Sequence, residues 1–387
     1  MNFFKNKLKT GTLVMAAAIT VLSSCNKDVQ QFPNSPRTAP TGQNLAQVLA
    51  AAPDDSLYYA MIVRGGLLPV ISNTATAYTM FVPGNAAMRS FVNIASGGLI
   101  PTASPDAVHS NFIRNLLPVA SAAGIVSYNI CPQTITSAAI PTTFPNFQYP
   151  SILNPAPSVS ALLRLTTFPS RRSNGAWLNN IPLTAPLDLS AANGVIHHTA
   201  AVNAPPSIYL WNKIESDPAL DLLEAAVNRA DMDPTAPGAL RAAMLNIGAN
   251  LTVFAPDTTA FKNVLSFLSG GLIPANAPVA NFSAFIGSLP ITTVKGIVVY
   301  HVLGRRAFSV NLPTTATSTP TLLNGAVPTH PGVSVVATFT TIPGFGTVAA
   351  TATVKGVVNA TASNITNRDN HYLNGVLHVI DQVLLPQ

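Results

Sequence analysis

The chain has 387 residues, of which only 9% are charged, against about 25% in an ordinary soluble domain. Apolar residues reach 48%, which excludes disorder and supplies core for about two domains. The formal charge is +6, but with Lys5, Lys7 and Lys9 set aside 17 bases face 14 acids, too few for a phosphate-tracking stripe, so nucleic-acid binding is excluded.

With 33 Pro and 23 Gly, short strands between turns are favoured over long helical bundles. The N-terminus joins those three lysines to an uncharged apolar run, residues 11–22 (GTLVMAAAITVL). Twelve residues fall short of the roughly 20 that span a bilayer as a helix, so residues 1–24 are expected to be a signal peptide. Leu22-Ser23-Ser24-Cys25 then resembles a bacterial lipobox. The resemblance implies cleavage before Cys25, lipid on its sulfur and acylation of the new amino group, which together hold a protein stably on a membrane. Cys131 is then the one remaining thiol, so no internal disulfide is expected. Asn26-Lys27-Asp28 resembles, loosely, the surface-export tag of Bacteroidetes lipoproteins. Residues 30–43 (QQFPNSPRTAPTGQ) are mostly polar around three prolines, so residues 25–43 are expected to be an extended tether.

Beyond it the same unit occurs twice. Residues 78–88 (YTMFVPGNAAM) align with 251–261 (LTVFAPDTTAF), and SGGLIP recurs at 96–101 and 269–274, both at an offset of 173. GIVSY at 124–128 matches GIVVY at 296–300 at 172, and NGVIH at 193–197 matches NGVLH at 374–378 at 181. Four ordered matches indicate duplication, with about nine extra residues late in the second copy. Residues 78–82 and 251–255 are predicted strands stopped by Pro83 and Pro256. Asn85 and Thr258 are predicted N-caps of helices carrying Met88, Phe91, Val92 and Ala95, or Phe261, Val264, Leu265 and Leu268, at helical spacing. Gly97-Gly98 and Gly270-Gly271 are predicted helix ends, and Asn193-Gly194 and Asn374-Gly375 turns into strands. Residues 333–358 alternate Val, Thr and Ala and predict further strands. Helices first and strands later make each copy α+β with a mainly antiparallel sheet system.

LTVFAPDTTAF, GIVVYHVL and NGVLHVIDQVLL together resemble the signature blocks of the fasciclin (FAS1) domain. The resemblance covers nearly all of residues 44–387 as two tandem domains, 44–204 and 205–387, with Pro205-Pro206 at the joint. The first departs from the pattern: its Tyr-His pair is Tyr128-Asn129, and its last block loses the usual Ile-Asp after His197-His198. The resemblance implies, for each, a β-sandwich or wedge with helices on one side, adhesion and matrix interaction as the function class, no cofactor and no catalytic reaction. In some relatives the Tyr-His neighbourhood takes part in receptor binding, so only Tyr300 and His301 inherit that expectation.

The residues themselves favour a buried, structural role for Tyr300 and His301, which as strand neighbours would face opposite ways among apolar side chains. His197 and His378 read as core histidines bonded to backbone. The seven histidines show no zinc spacing, and there is no nucleophile elbow or phosphate loop. Cys131 reads as a small buried hydrophobe. Asp54-Asp55 and Asp231 with Asp233 read as caps. Residues 168–177 (FPSRRSNGAW) stay open: Arg171, Arg172 and Trp177 flank an Asn174-Gly175 turn and form a candidate ligand-contact hairpin, unless Trp177 packs inward. The resulting expectation is a lipid-anchored protein of the outer membrane or cell surface of a Gram-negative bacterium of the Bacteroidetes. It would bind an extracellular protein, a glycan or another cell. The alternative is glycan capture for nutrient uptake, which exposed aromatics at Trp177 or Trp211 would favour.

Overall fold

The computed structural model describes residues 41–387. The expected signal peptide, Cys25 and the tether up to residue 40 lie outside the described residues.

Each half begins with helices and ends in a sheet. The first contains β1 (Tyr78–Pro83), β2 (Ile130–Cys131), β3 (Tyr149–Pro150), β4 (Thr166–Thr167), β5 (Pro169–Arg172), β6 (Gly175–Leu178), β7 (Ile181–Ala191) and β8 (Gly194–Thr199). Six of these form a sheet in the order β2-β1-β8-β7-β6-β5, while β3 and β4 pair with each other. The second contains β9 (Leu251–Pro256), β10 (Val302–Leu303), β11 (Thr317–Thr319), β12 (Val333–Ile342), β13 (Gly346–Lys355), β14 (Ser363–Tyr372) and β15 (Gly375–Ile380). Its sheet runs β10-β9-β15-β14-β13-β12-β11. The architecture is α+β, and its ladders are antiparallel with two exceptions. In each half the first strand lies parallel to the last, Tyr78↔Gly194 through Pro83↔Thr199 and Leu251↔Gly375 through Pro256↔Ile380.

Those central strands are buried along their whole length, because helices cover one face and strand-borne residues the other. Alternation divides them. Tyr78, Met80 and Val82 enter the helix-side core of the first half, and Phe81 enters the cluster behind the sheet. Leu251, Val253 and Ala255 do the same in the second half, with Phe254 behind. The helix Asn85–Ala95 places Met88 and Val92 in the core, and its counterpart Thr258–Leu268 places Phe261 and Leu265 there. Both end at glycines with positive φ, +65° at Gly97 and at Gly270, as left-handed helix ends require.

Three local expectations are corrected. The N-caps are Gly84 and Asp257, one residue earlier than expected; Asp257 accepts from the Ala260 amide at 2.7 Å. Asn85 instead accepts from the Leu57 amide and donates to Pro53 O, Ser56 Oγ and Asp106, tying its own helix to the helices Ser56–Arg64 and Asp106–Asn111. Asp55 makes no side-chain cap; it is buried and its carboxylate meets His198 Nε2 at 3.1 Å. Finally, Tyr300 lies in a helix, Ile291–Tyr300, not a strand. The β-branched run Ile297-Val298-Val299 suggests strand by propensity, but Val294 and Val298 lie one helical turn apart and both enter the core.

Residues 42–387 form one compact unit. A hydrophobic cluster joins the two halves: Phe168 and Trp177 from the first pack with Phe308, Val310 and Val376 from the second.

Candidate functional site

Tyr300 is the last residue of its helix and His301 is the C-cap. Both are buried, Tyr300 fully and His301 to 2% exposure. The Tyr300 hydroxyl donates to Gly332 O at 2.7 Å and accepts from the Val357 amide at 3.0 Å, so it joins the helix to two loops of the sheet system. His301 Nε2 accepts from the Leu384 amide at 2.8 Å, which leaves Nδ1 as the protonated nitrogen, donating to Ile297 O at 2.8 Å. Burial lowers the His301 pKa to about 4, so the ring is neutral at pH 7. Neither side chain is open to a partner.

In the first half the helix Val119–Tyr128 ends at Asn129, which does half of that work. Its amide donates to Ile125 O at 2.8 Å, the same one-turn-back carbonyl, and to Asn203 O at 2.8 Å. Tyr128 donates to Thr166 O at 3.1 Å, and burial pushes its hydroxyl up to about 12. The departure from Tyr-His therefore exchanges one buried cap for another.

A second repeated constellation lies behind the sheets. His378 Nδ1 accepts from the Asp369 amide at 3.1 Å, and Nε2 donates to Ala307 O at 2.8 Å. The Asp369 carboxylate accepts from the Ser309 amide at 2.7 Å and from its hydroxyl at 2.5 Å. In the first half His197, Asp188, Ile135 and Ser137 repeat every one of these bonds. Both aspartates sit at φ +61° where the register shifts, so the carboxylate leaves the strand and reaches the serine. Burial opposes ionisation of Asp188, but the Ser137 bonds outweigh it and hold the carboxyl below its ordinary range. Serine, aspartate and histidine are all present, yet each serine proton goes to aspartate and each imidazole to a carbonyl. A nucleophile would need its hydroxyl on the histidine. This constellation is a latch, and its signal in the sequence was the offset: Ser137 and Ser309 differ by 172, Asp188 and Asp369 by 181, matching the flanking motifs.

The hairpin of Arg171, Arg172 and Trp177 lies at the joint. Arg172 pairs with Gly175, so Ser173 and Asn174 form the turn, one residue earlier than expected. Trp177 is fully buried and its Nε1 donates to Thr347 O of the second half at 2.7 Å; Trp211 is 1% exposed. Trp177 thus packs inward, the outcome left open for this hairpin, and neither indole offers the exposed face that would favour glycan capture. Arg172 Nη2 donates to Asn311 of the second half, and Asn311 Nδ2 returns a bond to Thr143 O at 3.0 Å. Arg171 is exposed, with Nη1 on Ser137 O at 3.0 Å. A cleft of about 630 Å³ opens there, lined by Thr142, Arg171, Arg172, Ser173, Asn174 and Thr314.

Deeper in the joint lies Arg306, which the sequence did not single out. It is 2% exposed, and burial lowers its pKa to about 10. Its guanidinium stacks 4.6 Å from the Phe168 ring centroid and donates to His371 Nε2 at 2.7 Å. Cys131 is fully buried, and burial pushes its thiol up to about 11, as for an inert core residue. Among the described residues no three His, Cys, Asp or Glu side chains converge to hold a metal.

Residues 234–386 match the fasciclin domain family. Among solved structures the chain is similar to a FAS1 domain pair from the insect cell adhesion molecule fasciclin I. That pair is 17% identical, and the likeness covers 85% of this chain and 96% of that one at a TM-score of 0.34. No curated protein matches the chain.

Proposed function

Taking residues 234–386 as a fasciclin domain and residues 44–204 as its divergent partner, we propose that this protein is a lipid-anchored surface protein. Its work is adhesion: contact with an extracellular protein, a glycan or another cell. Cys25 carries the anchor, residues 25–43 supply reach, and the two domains present the contact surface at the outer membrane or cell exterior. Fasciclin domains are modules of adhesion and interaction, and the observation that carries the reading for this chain is how its reactive groups are used. The histidine, aspartate and serine side chains of both latches, and the Tyr300-His301 pair, are committed to backbone and to one another. What remains for function is the surface.

The test is cell fractionation and attachment. Wild-type protein should partition with membranes and be cleaved by protease added to intact cells, and Cys25→Ser should move it to the soluble fraction. Cells lacking the protein should attach less to matrix-coated surfaces. Unchanged fractionation of Cys25→Ser defeats the anchor, and unchanged attachment defeats the adhesive role.

A further inference from the structure

We infer that the cleft at the joint is a binding site for an acidic polysaccharide, one whose sugar units carry carboxylate or sulfate groups. The inference rests on the surface-contact reading and names its ligand class. Of the six lining residues, two are arginines and none is acidic, in a chain where only 9% of residues are charged. Each guanidinium is only partly committed. Arg171 spends Nη1 on Ser137 O, and Arg172 spends Nη2 on Asn311 and keeps Nε buried without a partner. The carboxylate whose charge Arg171 feels is Asp188, already engaged by Ser137. Arg172 Nε is closed to solvent, so the spare N–H groups of exposed Arg171 are the ones that suit an oxyanion, bound in pairs of charge-assisted bonds.

The rest of the wall argues for sugar over peptide. Thr142, Ser173, Asn174 and Thr314 are exposed, and their side chains make no hydrogen bond within the described residues. They offer donors and acceptors to a hydroxylated ligand and no apolar pocket for a side chain. A second cleft, of about 450 Å³, differs on both counts: Ile297, Leu323, Val327 and Leu385 line it, and no arginine or lysine does. The site is also held in shape. Trp177 and Arg172 anchor the hairpin to the other half, so residues of the first half and Thr314 of the second meet across a fixed gap.

Calorimetry with the full-length chain in detergent tests this, using alginate as the carboxylate polymer, dextran sulfate as the sulfate polymer and dextran as the neutral one. Alginate or dextran sulfate should bind, and the one that does identifies the acid group; dextran should not. Arg171→Gln should weaken binding about tenfold with only a small fall in melting temperature, because Arg171 is exposed and its one bond, to Ser137 O, lies at the surface. Thr314→Trp should block the cleft from the opposite wall, and added salt should weaken wild-type binding. Equal binding of dextran, full affinity in either variant, or no binding of both acidic polymers overturns the inference. Membrane fractionation of Cys25→Ser would be untouched by that failure, so the two readings fall separately.

Discussion

Replacing His301 with asparagine separates what the imidazole does as a cap from what it does as a titrating group. Burial lowers its pKa in the folded protein to about 4, against roughly 6.5 in an unfolded chain. Above pH 6.5 both states are neutral and the contribution to stability is complete. As pH falls from about 6.5 towards 4, the unfolded chain takes up a proton that the folded one refuses, and stability is lost. The gap corresponds to about 3 kcal/mol. His371 and His378 are lowered by burial too and act in the same direction. Asn129 shows that an amide fits this helix end and keeps the bond one turn back. His301→Asn should therefore retain the Ile297 bond but leave the Leu384 amide without its acceptor, costing about 1–3 kcal/mol at pH 7.5. Urea unfolding at pH 7.5 and at pH 4.5 measures both effects. Wild type should lose about 2.5 kcal/mol more than the variant between the two conditions. Parallel losses would show that the ring does not carry the acid sensitivity and refute the buried, neutral assignment.

Trp177→Ala empties the shared cluster and should cost about 3–5 kcal/mol in chemical denaturation, whereas Trp177→Phe, losing mainly the bond to Thr347, should cost about 1 kcal/mol. A loss below about 1 kcal/mol for the alanine variant would mean that the joint contributes little. Gly194→Ala would place a Cβ 2.0 Å from the Tyr78 carbonyl oxygen, so it should destabilise by more than about 3 kcal/mol or yield insoluble protein. A variant with native melting temperature would contradict the close approach of β8 to β1.

The duplication made much of the fold legible. Two copies of strand, helix and double glycine, each closed by an Asn-Gly turn, carried the α+β order to the right residues, because local patterning and local turn chemistry set those elements. The β-branched run Ile297-Val298-Val299 points to a strand at Tyr300-His301 but ends a helix instead, because β-branched propensity is a weak local preference that packing overrides. The N-caps slipped by one residue because Asn85 and Thr258 are themselves capping types; what decides is which residue is still extended, Gly84 at ψ 172° and Asp257 at ψ 168°. Burial of Tyr300 and His301 followed from apolar neighbours on both sides. The joint was least legible. Trp177 on Thr347, Arg172 on Asn311 and Arg306 on Phe168 are contacts between residues more than 130 apart, and nothing in the local pattern at either end announces them.

The parallel pairing of the first and last strands of each half has a mechanical consequence. Tension entering the first half at Tyr78 and leaving at Thr199 pulls β1 and β8 in opposite directions along their common axis. Six register pairs then carry the load together in shear, where an antiparallel terminal pair would unzip one rung at a time. Under such a load the first half is thereby fitted to hold its shape until the whole ladder yields at once.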